Sequence, residues 1–528
     1  MSIKTKRRFV LPSALATAIA LGGCTQNPVH GGTDLSAVQN IVVIYAENRS
    51  FDNLYGHFPG ANGVRSVTPQ GARQLDRDGT PLPVLPPVWN GLTQRGVTPA
   101  VTQAMTTNLP NTPFAIDDPQ GFNTSRRVAT RDLWHRFYEN QMQIDGGRND
   151  RFVAWADSGA LTMGHYAADT STLPLWNIAQ RYTLADNFFM GAFGGSFLNH
   201  QWLACACTPV YPNADKSPAA GLVSAVEADG VTLKVAANSP RSALDGPPKF
   251  VNSSNLTPDF YAVNTMQPAY QPSGNAPAAG GDPRFADPAT PTTLPPQTQR
   301  HIGDMLNAAG VTWAWYGGAW NTALEATNRK AVIYGPDRSA PNFQPHHQPF
   351  NYFADMAPGT DNRARHLLDG GVNGAKFIEA IDKGELPQVA FYKPQGNLNE
   401  HPGYTDVESG DRHVADVVEH LQKSPQWRHM VVIVTYDENG GFWDHVAPPK
   451  GDRFGPGTRI PAIIVSPFAK KGYVDHTQYD TTSILRFITH RFGLEELPGL
   501  KIRNDALVAH GQAPMGDLTN ALEFTASR

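Results

Sequence analysis

Two uninterrupted apolar runs rich in β-branched residues, one near each end, constrain this chain more than anything else in it. The first is Asn40-Ile41-Val42-Val43-Ile44-Tyr45 and the second is His429-Met430-Val431-Val432-Ile433-Val434-Thr435-Tyr436. Neither alternates apolar with polar residues, so each strand needs cover on both faces, as in the middle of a parallel sheet. A third run, 460–466, carries Pro461 near its entry, where a strand tolerates proline. Shorter strands are expected at 311–316 and 388–392. Helical spacing alternates with them. Val414, Val417, Val418 and Leu421 fall at i, i+3, i+4, i+7 behind Asp411, and 482–491 repeats the pattern with Gly493 placed to cap it. Strands alternating with helices predict an α/β fold with a mainly parallel sheet.

Two stretches, 59–121 and 209–299, break the pattern with Pro, Gly, Thr and Asn. They are expected as insertions on one core, the second with a β-like patch at 230–237. Hydrophobic residues make up 40% of the 528, too many for a disordered chain.

Both long strands run into acidic tips. The first continues as Ala46-Glu47-Asn48-Arg49-Ser50-Phe51-Asp52, the second as Asp437-Glu438-Asn439-Gly440-Gly441. Ligands of open α/β sheets bind at the carboxyl ends of strands. If the two strands are neighbours, Glu47, Asp437 and Glu438 converge, with Asn48 as a neutral oxygen donor. Carboxylates so placed repel and are driven to protonate unless a cation sits among them. A hard divalent ion suits such an oxygen set. The competing reading of Asp-Glu-Asn-Gly-Gly is a polar turn after a strand.

Ser196, in Gly194-Gly195-Ser196-Phe197-Leu198, is the nucleophile candidate. The glycines allow a tight bend that exposes its hydroxyl. Leu198 stands where a nucleophile elbow needs glycine, which counts against a metal-free serine esterase. A metal-activated hydroxyl needs no elbow. His135, His346, His347 and His401 add imidazoles able to bind phosphoryl oxygens or protonate a leaving group, since their ordinary pKa is near ~6.5. No HExxH, P-loop or dinucleotide-binding glycine motif is present.

Residues 1–23 read as an export signal: Lys4, Lys6, Arg7 and Arg8 precede a 13-residue apolar run, Phe9 to Leu21. Leu21-Gly22-Gly23-Cys24 resembles a bacterial lipobox, with Cys24 as the lipid-bearing residue; an ordinary cleaved signal is the alternative. Arg7-Arg8-Phe9 also has the look of a weak twin-arginine signal. Without the signal's four basic residues the chain has 39 basic against 47 acidic residues, no basis for a face that binds nucleic acid. Cys205 and Cys207 are too close in sequence for an unstrained bridge to each other and are expected as small buried residues, with a metal role as the lesser alternative.

Glu47 to Asp52 with Gly56, His401-Pro402-Gly403-Tyr404, Tyr436 to Gly441, Arg459 to Ser466, and Tyr479 to Ile484 together resemble the bacterial phospholipase C–acid phosphatase (phosphoesterase) family. That resemblance implies an alkaline-phosphatase-like α/β core. It implies Glu47, Asn48, Asp437 and Glu438 as metal ligands, with Ser196 as both ligand and nucleophile. It makes His135, His346, His347 and His401 phosphate-binding or proton-handling residues; of these, His401 first and His347 second are expected as the catalytic proton donors, and His135 and His346 as substrate-binding residues. Ser196, Gln141 to Gly147, and the His346-His347-Gln348-Pro349-Phe350 segment lie closer to the acid phosphatase branch. The expectation is an exported, metal-dependent acid phosphatase of small phosphorylated substrates, with a phospholipase C acting on phospholipid as the alternative. A non-catalytic envelope protein would have been suggested by loss of Glu47, Asp437 or Ser196, and all three are present. A linker at 24–39, a catalytic domain at 40–500 and a tail at 501–528 complete the layout, with a lipid anchor tying it to the membrane. Metal identity and oligomeric state stay open.

Overall fold

The computed structural model describes residues 35–167 and 172–524. The export signal and Cys24 lie outside them. Eight strands form the main sheet: β1 Asn40–Ala46, β2 Thr183–Ala185, β3 Trp313–Gly318, β4 Leu367–Gly371, β5 Val389–Lys393, β6 Met430–Tyr436, β7 Ala462–Val465 and β8 Tyr473–Asp475. Their order across the sheet is β8-β2-β7-β6-β1-β5-β3-β4. β7 pairs antiparallel with both β6 and β2, and every other pairing is parallel. The fold is thus α/β with a mainly parallel sheet flanked by helices.

The two apolar runs are direct neighbours at the centre. β1 pairs with β6 from Asn40↔Met430 to Ala46↔Tyr436, and with β5 on its other side. Every residue of β1 and β6 is buried, and each Val or Ile side chain so covered contributes roughly 1.5–3 kcal/mol. That is why neither run carries a polar alternation.

Three helices matter for the site: α1 Ser196–Cys205, α2 Val407–Lys423 and α3 Thr481–Phe492. α2 begins a turn before Asp411, because Asp406 caps it by accepting from Ser409 N; Asp411 is instead buried inside the helix. α3 ends at Gly493, which takes φ 63 as a C-cap. α1 ends at Ala206, whose left-handed φ 48 turns the chain back on itself. Cys205 and Cys207 are thereby brought to a Cα separation of 5.1 Å and form a disulfide. This corrects the expectation of two separate small residues: the turn at Ala206 supplies an ordinary bridging distance that spacing alone does not suggest.

Residues 59–121 contain short turns of helix and the two-residue strand Phe114–Ala115. Residues 209–299 are similar, with strands Gln267–Pro268 and Thr293–Leu294. The 230–237 patch forms only isolated bridges, Val226↔Leu233 and Val235↔Phe250. Past residue 500 the chain continues in helix Pro498–Ala509, whose buried Arg503 pairs with Asp452 and Asp480. No helix among the described residues is long and apolar enough to cross a membrane.

Candidate active site

The β1–β6 register decides the site. Because Ala46 lies opposite Tyr436, the residues that follow, Glu47-Asn48 and Asp437-Glu438, emerge side by side at one sheet edge. Asp437 N donates to Ala46 O at 3.1 Å. Asp437 Oδ1 accepts from Asn48 N at 3.0 Å and from Glu438 N at 2.8 Å. Asn48 sits at φ 59, a left-handed conformation that asparagine tolerates better than most residues. Gly440 passes so close that a Cβ there would stand 2.3 Å from Asn48 O.

Ser196 meets this edge from the other side as the first residue of α1, behind Gly194 at φ 91. A Cβ on Gly194 would lie 2.5 Å from Phe137 N, so the loop before the serine needs its glycine. Ser196 Oγ is 3.0 Å from Glu47 Oε2 and 3.3 Å from Asn48 Oδ1. All five expected metal-site residues (Glu47, Asn48, Ser196, Asp437 and Glu438) therefore fall in one buried cluster.

Of the three carboxylates in that cluster, Glu47 has a cation in contact, the ammonium of Lys393. Burial, and then Glu47 beside it, pushes the Asp437 carboxyl well above the usual carboxylate range. Burial, and then Asp437, does the same to Glu438. Asp437 Oδ2 and Glu438 Oε1 are buried without a hydrogen-bond partner. Buried carboxylate oxygens with lone pairs and no donor are what a hard divalent cation satisfies. The donor set fits such an ion.

Imidazoles crowd the flank. Asn48 Nδ2 faces His401 Nε2 at 3.1 Å and His135 Nε2 at 3.4 Å. An amide N–H only donates, so both Nε2 atoms accept and the ring hydrogens sit on Nδ1. There Leu133 O accepts from His135 at 2.6 Å and Pro402 O from His401. Burial, and then His135, holds His401 well below the ordinary imidazole range. His346 is lowered likewise, by burial and then His347, and its Nδ1 lies 3.2 Å from Tyr334 Oη.

Above Ser196 opens a cavity of about 320 Å³. His135, His346, His401 and Arg136 line it, and Ser254, Asn255 and Asn264 from the 209–299 segment form a wall. Asn264 is pinned there, accepting from Phe137 N at 3.0 Å and donating to Ser254 O at 2.6 Å. His347 is not among the lining residues; its Nε2 lies 3.1 Å from Glu47 Oε1 instead. This position suits a partner of the carboxylate better than a donor to a leaving group.

Sequence reasoning missed three residues. His200 is four residues after Ser196 on the same helix face, and its ring stacks on His347 at 5.0 Å. The i, i+4 spacing from Ser196 was the available signal. Lys393, at the carboxyl end of β5, is buried and contacts Glu47 Oε1; its place at the end of a central strand was the clue. Arg136 adjoins the already noted His135.

A mainly parallel sheet with buried carboxylates, a hydroxyl and imidazoles at its carboxyl edge has the groups of a hydrolase built to handle a charged ester. The chain belongs to the Phosphoesterase family, whose model matches residues 38–495; it is a hydrolase acting on phosphoric ester bonds. It is 25% identical over 564 residues to phospholipase C B of Mycobacterium tuberculosis, covering 99% of this chain and 86% of that protein. It is 24% identical to the non-hemolytic phospholipase C of Pseudomonas aeruginosa, covering 98% of this chain and 60% of that one. Among solved structures, a protein in the alkaline phosphatase superfamily from Vibrio parahaemolyticus aligns at TM-score 0.30 and 12% identity, over 67% of this chain and 64% of that one.

Proposed function

We propose that the chain is an exported, metal-dependent acid phosphatase that hydrolyses phosphomonoesters through Ser196. The observation that carries this reading is the position of Ser196 Oγ, within 3.3 Å of both Glu47 and Asn48 at the floor of the cavity. Glu47, Asn48, Ser196, Asp437 and Glu438 would hold the divalent ion. That ion supplies positive charge that lowers the pKa of a hydroxyl and offsets charge on phosphoryl oxygens.

The chain's own groups do the rest. The first N–H groups of α1 point at the phosphoryl oxygens, as helix N-termini do for anions. Ser196 Oγ attacks phosphorus in line, its hydrogen passing toward Glu47 Oε2, while the bond to the leaving alcohol breaks. The charge of a bound phosphoryl group favours the imidazolium, so that His401 Nε2, exchanging Asn48 for the substrate, takes up a proton in acid medium and gives it to the leaving oxygen. The neutral ring then takes a proton from water as the water oxygen attacks phosphorus and frees Ser196, whose Oγ recovers its hydrogen from Glu47 Oε2. Positioning and charge stabilisation are most of what phosphoryl transfer requires. His135 and His346 hold the phosphoryl group from the cavity side.

The names of the relatives favour a second reading, phospholipase C. Both readings share Ser196 and differ in the leaving group that the wall of Ser254, Asn255 and Asn264 admits. Export and lipid attachment through Cys24 remain part of the proposal and rest on residues 1–24 alone. The deciding experiment assays p-nitrophenyl phosphate and phosphatidylcholine on one preparation, beside Ser196→Ala. Faster turnover of the monoester, abolished in S196A, supports the proposal. S196A activity within tenfold of wild type removes Ser196 from its role.

A further inference from the structure

Glu47 faces two ways. Its Oε2 accepts from Ser196, whereas its Oε1 takes the ammonium of Lys393 and lies 3.1 Å from His347 Nε2 and 3.9 Å from His200 Nε2. Lys393 Nζ also donates to Ala46 O at 3.4 Å and stands 5.3 Å over the Tyr45 ring. His200 Nδ1 is 2.7 Å from Ser196 O, which can only accept, so its ring hydrogen is on Nδ1 and Nε2 carries the lone pair. Both His200 Nε2 and His347 Nε2 are buried without a hydrogen-bond partner. One carboxylate oxygen and two imidazole nitrogens within 4.8 Å of one another form a ligand set for a borderline metal ion such as zinc. A lysine amine stands at that set.

We propose that Lys393 is the site's tethered second cation: its ammonium fills the place at Glu47, His200 and His347 that a second metal ion would otherwise take. The charge balance supports this. Three buried carboxylates, Glu47, Asp437 and Glu438, are neutralised by one divalent ion and one ammonium. A second divalent ion would leave the buried centre with excess positive charge, which is as costly as excess negative charge. Lys393 also fixes which Glu47 oxygen faces Ser196. The inference rests on the single-ion reading of the neighbouring oxygen site, and the test separates the two.

The test counts zinc bound per folded chain by equilibrium dialysis and elemental analysis, on wild type, Lys393→Met, and K393M combined with His200→Ala. The expected counts are one, two and one. In an otherwise wild-type chain, H200A and His347→Ala should lose no ion, an arm that stands even if K393M does not fold. Equal counts in wild type and K393M, or loss of an ion in H200A alone, overturn the inference. A wild-type chain with no ion and K393M with one would sink the single-ion reading and leave the role of Lys393 standing. One ion in both would do the reverse.

Discussion

Asn48 and His401, 353 residues apart in sequence, meet at 3.1 Å through the asparagine's Nδ2 and the imidazole's Nε2. The same amide turns Oδ1 toward Ser196. One side chain therefore orients both the group proposed to attack and the group proposed to protonate the leaving alcohol.

Asn48→Asp should uncouple the two ends of that amide. Replacing Nδ2 with an oxygen removes the donor to His401 and His135 and adds a fourth carboxylate to the cluster. Turnover of a phosphomonoester should fall on the order of 10²-fold, as when one preorganised donor is lost, while binding of divalent ion is retained. Steady-state kinetics beside dialysis checks both.

Gly440→Ala should be far more damaging than an ordinary loop substitution. The new Cβ would sit 2.3 Å from Asn48 O at a residue with φ 62, so the turn that places Asp437 and Glu438 must shift. A loss of roughly 1–3 kcal/mol for the backbone conformation alone, and activity below one-hundredth of wild type, are expected by thermal melting and assay.

Asp437→Asn separates stability from chemistry. Its carboxyl is raised by burial and by Glu47, so charge at this position costs stability when no cation is bound. After chelation at neutral pH, D437N should melt above wild type. With divalent ion restored, wild type should gain more than D437N, and only wild type should turn over.

The pair Glu400–Asp411 gives a pH prediction away from the metal cluster. Burial pushes Asp411 up to about 7, with Glu408 a lesser cause in the same direction, and Glu400 is raised well above the usual range by burial and then Asp411. A carboxyl raised on folding binds its proton more tightly in the folded than in the unfolded chain. Its contribution is present below the unfolded pKa near ~4 and is lost as pH rises toward the folded value. Asp411→Asn should remove that loss: between pH ~4 and ~7 its stability should decline less than that of wild type, by on the order of 2–4 kcal/mol over the window. Denaturant unfolding at several pH values reads this directly.

The fold was legible where burial leaves an unambiguous trace. Continuous Val/Ile runs such as 41–44 and 431–434 have no stable place except between neighbouring strands, and their acidic tips follow from the same register. The reversed direction of β7 left no such trace, because 460–466 reads alike in either orientation. Ser196, Glu47 and Asp437 stood out as candidates because two buried strands end in the same kind of acidic tip and a glycine pair precedes the serine. His200 and Lys393 left only faint signals, a helical spacing from Ser196 and a place at a strand end, that do not stand out among 17 histidines and 43 basic residues; what distinguishes them is proximity to Glu47 across long stretches of chain. The Cys205–Cys207 bond depends on one backbone angle at Ala206, which no local composition announces.

The wall formed by Ser254, Asn255 and Asn264 belongs to a segment that contributes no strand to the main sheet, whereas Ser196 and its acidic neighbours are anchored to the central strands and α1. In the proposed mechanism, selection of the alcohol to be released is thus housed apart from the machinery that cleaves it. A lineage carrying this architecture can exchange one leaving group for another by rebuilding a loop, with the reacting atoms left untouched.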